Sequence, residues 1–151
     1  MNGVSFLVDT NVLVYSYDRS EHSKQKRARD VLDWLRSTDR AALSTQILGE
    51  LFRALSRRLS QPLSPQDAYV QLERQARSWR ILTVTPEIVL EAARGAVQYQ
   101  WAFWDAQVWA TAKMNHIPRV LSEDFSPGSR IEGVEFVNPF VGTILGEERI
   151  C

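Results

Sequence analysis

The sequence predicts an α/β fold with a central, mostly parallel sheet of about five strands flanked by helices. Three observations carry this. Short aliphatic or β-branched runs alternate along the chain with longer segments of helical period. Ser64-Pro65-Gln66-Asp67 and Thr85-Pro86-Glu87 combine a capping hydroxyl, a first-turn proline and an acid, the chemistry of a helix start. Two strand candidates end abruptly in acids, at the sheet edge where ligands of parallel α/β folds bind. With 151 residues and 44% apolar content, residues 1–151 read as a single domain able to bury a real core.

Each element has a local reason. Gly3–Val8 is β-branched and aliphatic and stops at Asp9-Thr10-Asn11, so it reads as a buried strand before a polar turn. A short helix comes next over Asn11–Tyr17. Ser23–Arg36 places Ala28, Val31, Leu32 and Leu35 on one face of a second helix. Ala41–Ser44 is a strand. Thr45–Leu59 is strongly helical, with Ile47, Leu48, Leu51, Phe52, Leu55 and Leu59 in one apolar stripe. The Ser64 helix runs to about Trp79, and Ile81–Val84 is a strand. The Thr85 helix keeps its period through Val89, Ala93, Ala96 and Val97, and Trp104–Asn115 is the last helix. Pro118–Leu121 and Val134–Val137 complete the strands.

Composition narrows the function. No run is long and apolar enough to span a bilayer, and the start does not resemble a signal peptide, so a cytoplasmic protein is expected. The single cysteine, Cys151, permits no internal disulfide and no cysteine-based zinc site. Eighteen bases balance eighteen acids, which at first disfavours a nucleic-acid binder. Fifteen of those bases are arginine, however, the better bidentate phosphate ligand.

Four acids stand where an ordinary fold gains little from a charge. Asp9 ends the first strand, and taken alone it is also a good helix cap. Glu50 lies on the edge of the apolar stripe of its helix, where a surface pair with Arg53 is the ordinary alternative. Asp105 follows Trp101-Ala102-Phe103-Trp104 and shares a helical face with Trp109 and Ala112; its alternative role is a first-turn acid. Asp124 follows the strand Pro118–Leu121, in a turn that also holds Glu123. Carboxylates gathered at one sheet edge repel one another and call for a cation, and all-oxygen ligation suits Mg²⁺ or Mn²⁺. A cation so held can activate water against a phosphodiester. A phosphate-cradling glycine loop is missing from Asp9-Thr10-Asn11-Val12, and a two-carboxylate glycosidase leaves two acids unexplained.

These residues resemble a known family. Val8-Asp9-Thr10-Asn11-Val12-Leu13-Val14-Tyr15, Ser44-Thr45-Gln46-Ile47-Leu48-Gly49-Glu50, Phe103-Trp104-Asp105-Ala106 and Leu121-Ser122-Glu123-Asp124-Phe125 match, in order, the motifs of PIN-domain nucleases. The small bacterial VapC-type toxins are the most similar group, and the segment Ile131–Phe140 also resembles them. The resemblance spans essentially the whole chain. It implies a PIN-like sheet and a Mg²⁺- or Mn²⁺-dependent endoribonuclease, the toxin of a toxin–antitoxin pair. It makes Asp9 and Asp105 the principal metal ligands, with Glu50 and Asp124 completing a catalytic acidic pocket and Asn11 and Ser122 in support. The Glu123-Asp124 doublet leaves open which acid faces the metal. The resemblance also implies an RNA substrate, a cognate antitoxin protein and a homodimer.

Arg53, Arg57 and Arg58, with the basic flank Lys24–Arg29, are candidate RNA contacts, although charged helix faces are more often simply solvated. Trp101, Trp104 and Trp109 are either stacking platforms for bases or core residues. If the four acids face cations, eighteen bases remain against fourteen acids, and RNA affinity should then depend on divalent metal. Two other readings stay open. One is a metal-free ribonuclease using His22 and His116 as acid and base. The other is a non-catalytic PIN-like module that binds a protein partner.

Overall fold

In a computed structural model the described residues are 3–142, so Cys151 lies outside them. Six strands form one sheet in the order β3-β2-β1-β4-β6-β5. β1 (Phe6–Val8) lies between β2 (Ala41–Ser44) and β4 (Arg119–Leu121), parallel to both. β3 (Arg80–Leu82) extends the sheet beyond β2, and β6 (Val134–Val137) extends it beyond β4, again in parallel. Only β5 (Arg130–Ile131) runs antiparallel, against β6. The chain therefore builds outward from β1 on one side and returns to begin the other side at β4. A crevice opens at such a reversal of strand order, beyond the carboxyl ends of the two strands.

Six helices complete the described residues: α1 (Thr10–Tyr15), α2 (His22–Thr38), α3 (Thr45–Arg57), α4 (Pro65–Ser78), α5 (Pro86–Tyr99) and α6 (Phe103–Met114). The caps read in the sequence form. Ser64 accepts from the Asp67 amide at 3.1 Å, and Thr85 from the Ile88 amide at 3.2 Å. Ser44 does the same for α3, accepting from the Ile47 amide at 3.2 Å. The core joins Phe6, Leu7, Leu43 and Val120 of the sheet to Leu32, Leu51, Leu55 and Trp109 of the helices, all essentially without solvent contact.

Boundaries differ from expectation where the partner of a strand runs out. The third strand was expected at Ile81–Val84 but occupies Arg80–Leu82. Its partner β2 ends at Ser44, which turns into α3, and the Val84 amide donates to the Thr45 hydroxyl at 3.2 Å instead of to a ladder. The first helix starts one residue earlier than expected, at Thr10, because Asp9 caps it. The sixth strand was not expected. It is two residues long and joins β6 through Glu132 and Gly133, both at positive φ (49° and 87°), the backbone that a tight two-residue hairpin requires.

Candidate active site

The crevice at the reversal point is where the four acids meet. The Asp9 amide donates to the Leu121 carbonyl at 2.9 Å, carrying the β1–β4 pairing one residue past the strands. This places the Asp9 side chain on the floor of the crevice, with only 4% of the residue exposed. α3 brings Glu50 from β2, and the start of α6 brings Asp105. The loop after β4 brings Ser122, Glu123 and Asp124. Asp9, Glu50, Asp105, Glu123 and Asp124 all line one cavity of about 480 Å³.

Asp9 is held from three sides. One carboxylate oxygen accepts from the Thr10 amide at 2.8 Å, and the other accepts from the Ser122 hydroxyl at 2.7 Å. The Asn11 amide lies 3.4 Å from that second oxygen and also donates to Ser122 Oγ and Asp124 Oδ2, each at 3.1 Å. Asn11 and Ser122 thus tie the end of β1 to the end of β4. The Asn11 carbonyl oxygen fixes the loop as well, accepting from the Glu123 amide at 3.1 Å. Burial pushes the Asp9 carboxyl up to about 7; the Ser122 and Thr10 hydrogen bonds only partly offset this, and the Glu50 and Asp124 charges add to it. Asp105 is half-buried and is raised by the same causes, burial first and then Asp124 and Glu50.

Sequence reasoning missed two residues that position Glu50. The Thr10 hydroxyl donates to one Glu50 oxygen at 2.7 Å, and Gln46 Nε2 donates to the other at 3.0 Å. Gln46 also bridges to α6, donating to the Trp104 carbonyl at 3.0 Å and accepting from Gln107 at 2.9 Å. The surface pair with Arg53 is therefore not what holds Glu50. Gln46 stands one turn before Glu50 on α3, where helical phase could have found it, but no sequence signal points to Thr10, forty residues away.

The acidic doublet separates into two environments. Glu123 accepts from Lys24, which also contacts the Tyr15 hydroxyl at 3.2 Å. Burial raises Glu123, but the Lys24 and Tyr15 hydrogen bonds outweigh it and hold the carboxyl below its ordinary range. Among the described residues Asp124 has no such cation, and of the doublet it is the acid whose charge, like that of Glu50, reaches both Asp9 and Asp105.

The basic candidates sort as clearly. Arg58 lines the acid cavity, Arg53 lies on the same helix beside it, and Arg57 is exposed away from it. The Lys24–Arg29 flank is largely engaged elsewhere: Lys24 with Glu123, Lys26 with Asp30 at 2.7 Å, and the Arg29 guanidinium with the Ser16 carbonyl at 3.0 Å. Of the three tryptophans, Trp109 is fully buried, Trp101 packs on the core, and Trp104 is 60% exposed at the cavity rim. His22 and His116 are exposed and neither lines the acid cavity, which removes the basis for a histidine acid–base pair there.

An all-oxygen, strongly acidic donor set fits a hard divalent cation. Among the described residues, Arg58 is the one basic side chain on the cavity wall. Burial first, and then the neighbouring carboxylates, raise the Asp9 and Asp105 carboxyls. Among the described residues, no three His, Cys, Asp or Glu side chains are already arranged to hold a metal ion. The fit is accordingly to an ion that keeps part of its water shell, as Mg²⁺ does, rather than to a closed cage.

The architecture is thus that of an α/β protein with an acid pocket at the switch point of a parallel sheet. Residues 6–126 match the PIN domain family, and the chain belongs to that family. No curated protein matches the sequence. Among solved structures, FitAB bound to an IR36 DNA fragment is similar with a TM-score of 0.69 and 22% identity, covering 93% of this chain and 99% of that one. A toxin–antitoxin complex from Klebsiella pneumoniae gives 0.66 and 18%, covering 93% and 100%. VapC20 from Mycobacterium tuberculosis, a Sarcin-Ricin loop cleaving toxin, gives 0.64 and 21%, covering 85% and 98%. At these identities the likeness is one of fold. No helix of the described residues is long and apolar enough to cross a membrane.

Proposed function

We propose that this protein is a divalent-metal-dependent endoribonuclease acting as the toxin of a toxin–antitoxin pair. The observation that carries the reading is the convergence of Asp9, Glu50, Asp105 and Asp124 on one cavity, with Asp9 raised to about 7 by its burial and its acidic neighbours. A buried, costly carboxylate oriented by three hydrogen-bond donors is hard to explain in a module that merely binds a partner.

The ion, Mg²⁺ or Mn²⁺, would be held by Asp9 and Asp105, with Glu50 and Asp124 completing the shell directly or through water. Its chemistry is to acidify a water for attack on the phosphodiester and to screen the charge that builds on the phosphoryl oxygens. The chain's own residues set the geometry. Thr10, Ser122 and Asn11 fix the Asp9 oxygens, and Thr10 and Gln46 fix those of Glu50. Arg58 supplies positive charge at the wall for a substrate phosphate. Products with 5′-phosphate and 3′-hydroxyl ends are expected.

The antitoxin partner is inferred from the resemblance and from the similar Klebsiella pneumoniae structure, which is a toxin–antitoxin complex. A homodimer is inferred from the resemblance alone.

The doublet provides the test. Asp105→Asn should reduce cleavage of single-stranded RNA to background. Asp124→Asn should reduce it about 10- to 100-fold, while Glu123→Gln stays within about threefold of wild type. Circular dichroism should show all three folded. Wild-type cleavage by folded Asp105→Asn would exclude the reading, and equal losses for the two doublet variants would exclude the separation of roles.

A further inference from the structure

A second cavity adjoins the acid pocket. It is a groove of about 640 Å³ between α3 and the start of α6, and it shares Gln46, Glu50, Arg58 and Trp104 with the pocket wall. Beyond that shared rim it continues over Gly49 and Arg53. Trp104 is 60% exposed here, with its backbone tied to α3 and its ring against Phe103. Its carbonyl accepts from Gln46 at 3.0 Å, and Phe103 braces the ring edge-on, with centroids 5.1 Å apart. Arg53 and Arg58 are exposed, and neither is paired with a carboxylate among the described residues.

Gly49 is the second observation. It sits in the middle of α3 with ordinary helical backbone, where glycine weakens a helix relative to alanine. Packing does not require it, because a Cβ at this position meets nothing within 4 Å. Neither backbone nor core explains the glycine. Its one structural consequence is an open groove floor between Trp104 and Arg53. Glycine serves in this way where a ligand must approach a backbone closely.

We propose that this groove is the path of the single-stranded substrate beside the reacting phosphodiester, with one base stacked on Trp104 over Gly49 and a neighbouring phosphate on Arg53. An exposed aromatic with unpaired arginines along a groove is the combination that binds single strands without reading sequence. A duplex is disfavoured, because its bases are not free to stack on a protein ring. The groove's continuity with a phosphodiester-directed acid pocket favours this occupant over a protein segment. The inference rests on the nuclease reading and deepens it by naming a substrate subsite.

The test is the steady-state cleavage of a short single-stranded RNA with Mn²⁺ by full-length protein, with kcat and KM resolved separately. Trp104→Ala should raise KM about 5- to 100-fold with kcat within about threefold, and Trp104→Phe should restore most of the loss. Gly49→Leu fills the groove and should raise KM similarly. Gly49→Ala puts a single methyl on the groove floor and should raise KM by a smaller factor than leucine while raising Tm by roughly 1–3 °C, which separates groove filling from damage to the helix. Cleavage by Trp104→Ala and Gly49→Leu with wild-type KM overturns the subsite while leaving the nuclease reading intact. If those variants keep wild-type KM but lose a co-expressed antitoxin, the groove is a protein-docking face and the proposal is wrong. Failure of the wild type both to bind and to cleave RNA overturns the nuclease reading and the subsite with it.

Discussion

Asp9→Asn is expected to stabilise the metal-free protein at pH 8 while abolishing its cleavage of RNA. The folded protein holds the Asp9 proton up to about pH 7, whereas the unfolded chain releases it near the ordinary value of 3.8. Between those pH values the native state binds more protons than the unfolded state, so wild-type stability falls as pH rises. Above about 7 the penalty is complete, and a shift of this size is worth on the order of 4 kcal/mol. Asparagine removes the charge but not all of the cost. Ser122 Oγ already accepts from Asn11 and from the Asp124 amide while donating to Asp9. A side-chain NH₂ in place of that carboxylate oxygen leaves the hydroxyl without its acceptor, a loss of about 1 kcal/mol. The net gain is then about 2–3 kcal/mol, or roughly 5–10 °C in Tm for a domain of this size. The gain should shrink as pH is lowered through 7 and be gone by about 4, where wild-type Asp9 is protonated in both states. Thermal melts in EDTA across that range check it. A variant melting below wild type at pH 8 would mean that Asp9 is not a buried, uncompensated charge.

Gly95 carries the second large effect, on stability rather than chemistry. It is buried on α5 where that helix crosses α6, and a Cβ there would lie 2.6 Å from Trp109 Cζ3 and 3.0 Å from Cε3. The ring cannot easily yield. Trp109 is fully buried, meets Trp101 and Tyr99 edge-on at 5.4 and 6.0 Å, and donates its indole N–H to the Ile131 carbonyl at 3.1 Å. Lys113 and Arg94 cover its faces at 5.3 and 5.7 Å. Hydrogen bonds from Arg94 and Lys113 also hold the Glu91 carboxyl down at about 2. The Tyr99 hydroxyl, with the same two cations, holds Glu132 down at about 2, so ring, ion-pair network and β5–β6 hairpin share one packing arrangement. Gly95→Ala should therefore cost about 1–3 kcal/mol through overpacking, and Gly95→Val more. Urea denaturation should show a lower midpoint with an unchanged slope. A midpoint within error of wild type would mean that α5 and α6 are not this closely packed.

The parts of this site that the sequence disclosed are those set by local pattern. Asp9 and Asp124 were visible because an aliphatic strand stops just before each, and neighbouring parallel strands deliver their succeeding residues to the same edge. The phase of α3 put Glu50 beside its apolar stripe, and Asp105 stood out as a charge among aromatics. The hidden parts depend on contacts distant in sequence. Thr10 and Gln46 hold Glu50, but Thr10 reads as an ordinary first-turn residue. The two environments of the Glu123-Asp124 doublet arise from Lys24, ninety-nine residues away from Glu123 in sequence. The three tryptophans could not be sorted until the start of α6 was known. With the helix beginning at Phe103, Trp104 faces solvent and Trp109 faces Gly95. β5 was missed because two residues are too short for any periodicity.

The central claim is that the acid pocket hydrolyses RNA only with a divalent cation in place. It is tested most directly by incubating purified wild-type protein with single-stranded RNA, first as isolated, then in excess EDTA, then with Mn²⁺ or Mg²⁺ restored at fixed ionic strength. Cleavage is predicted to stop in EDTA, to return with the metal, and to leave 5′-phosphate ends. Cleavage that continues undiminished in EDTA would contradict the claim.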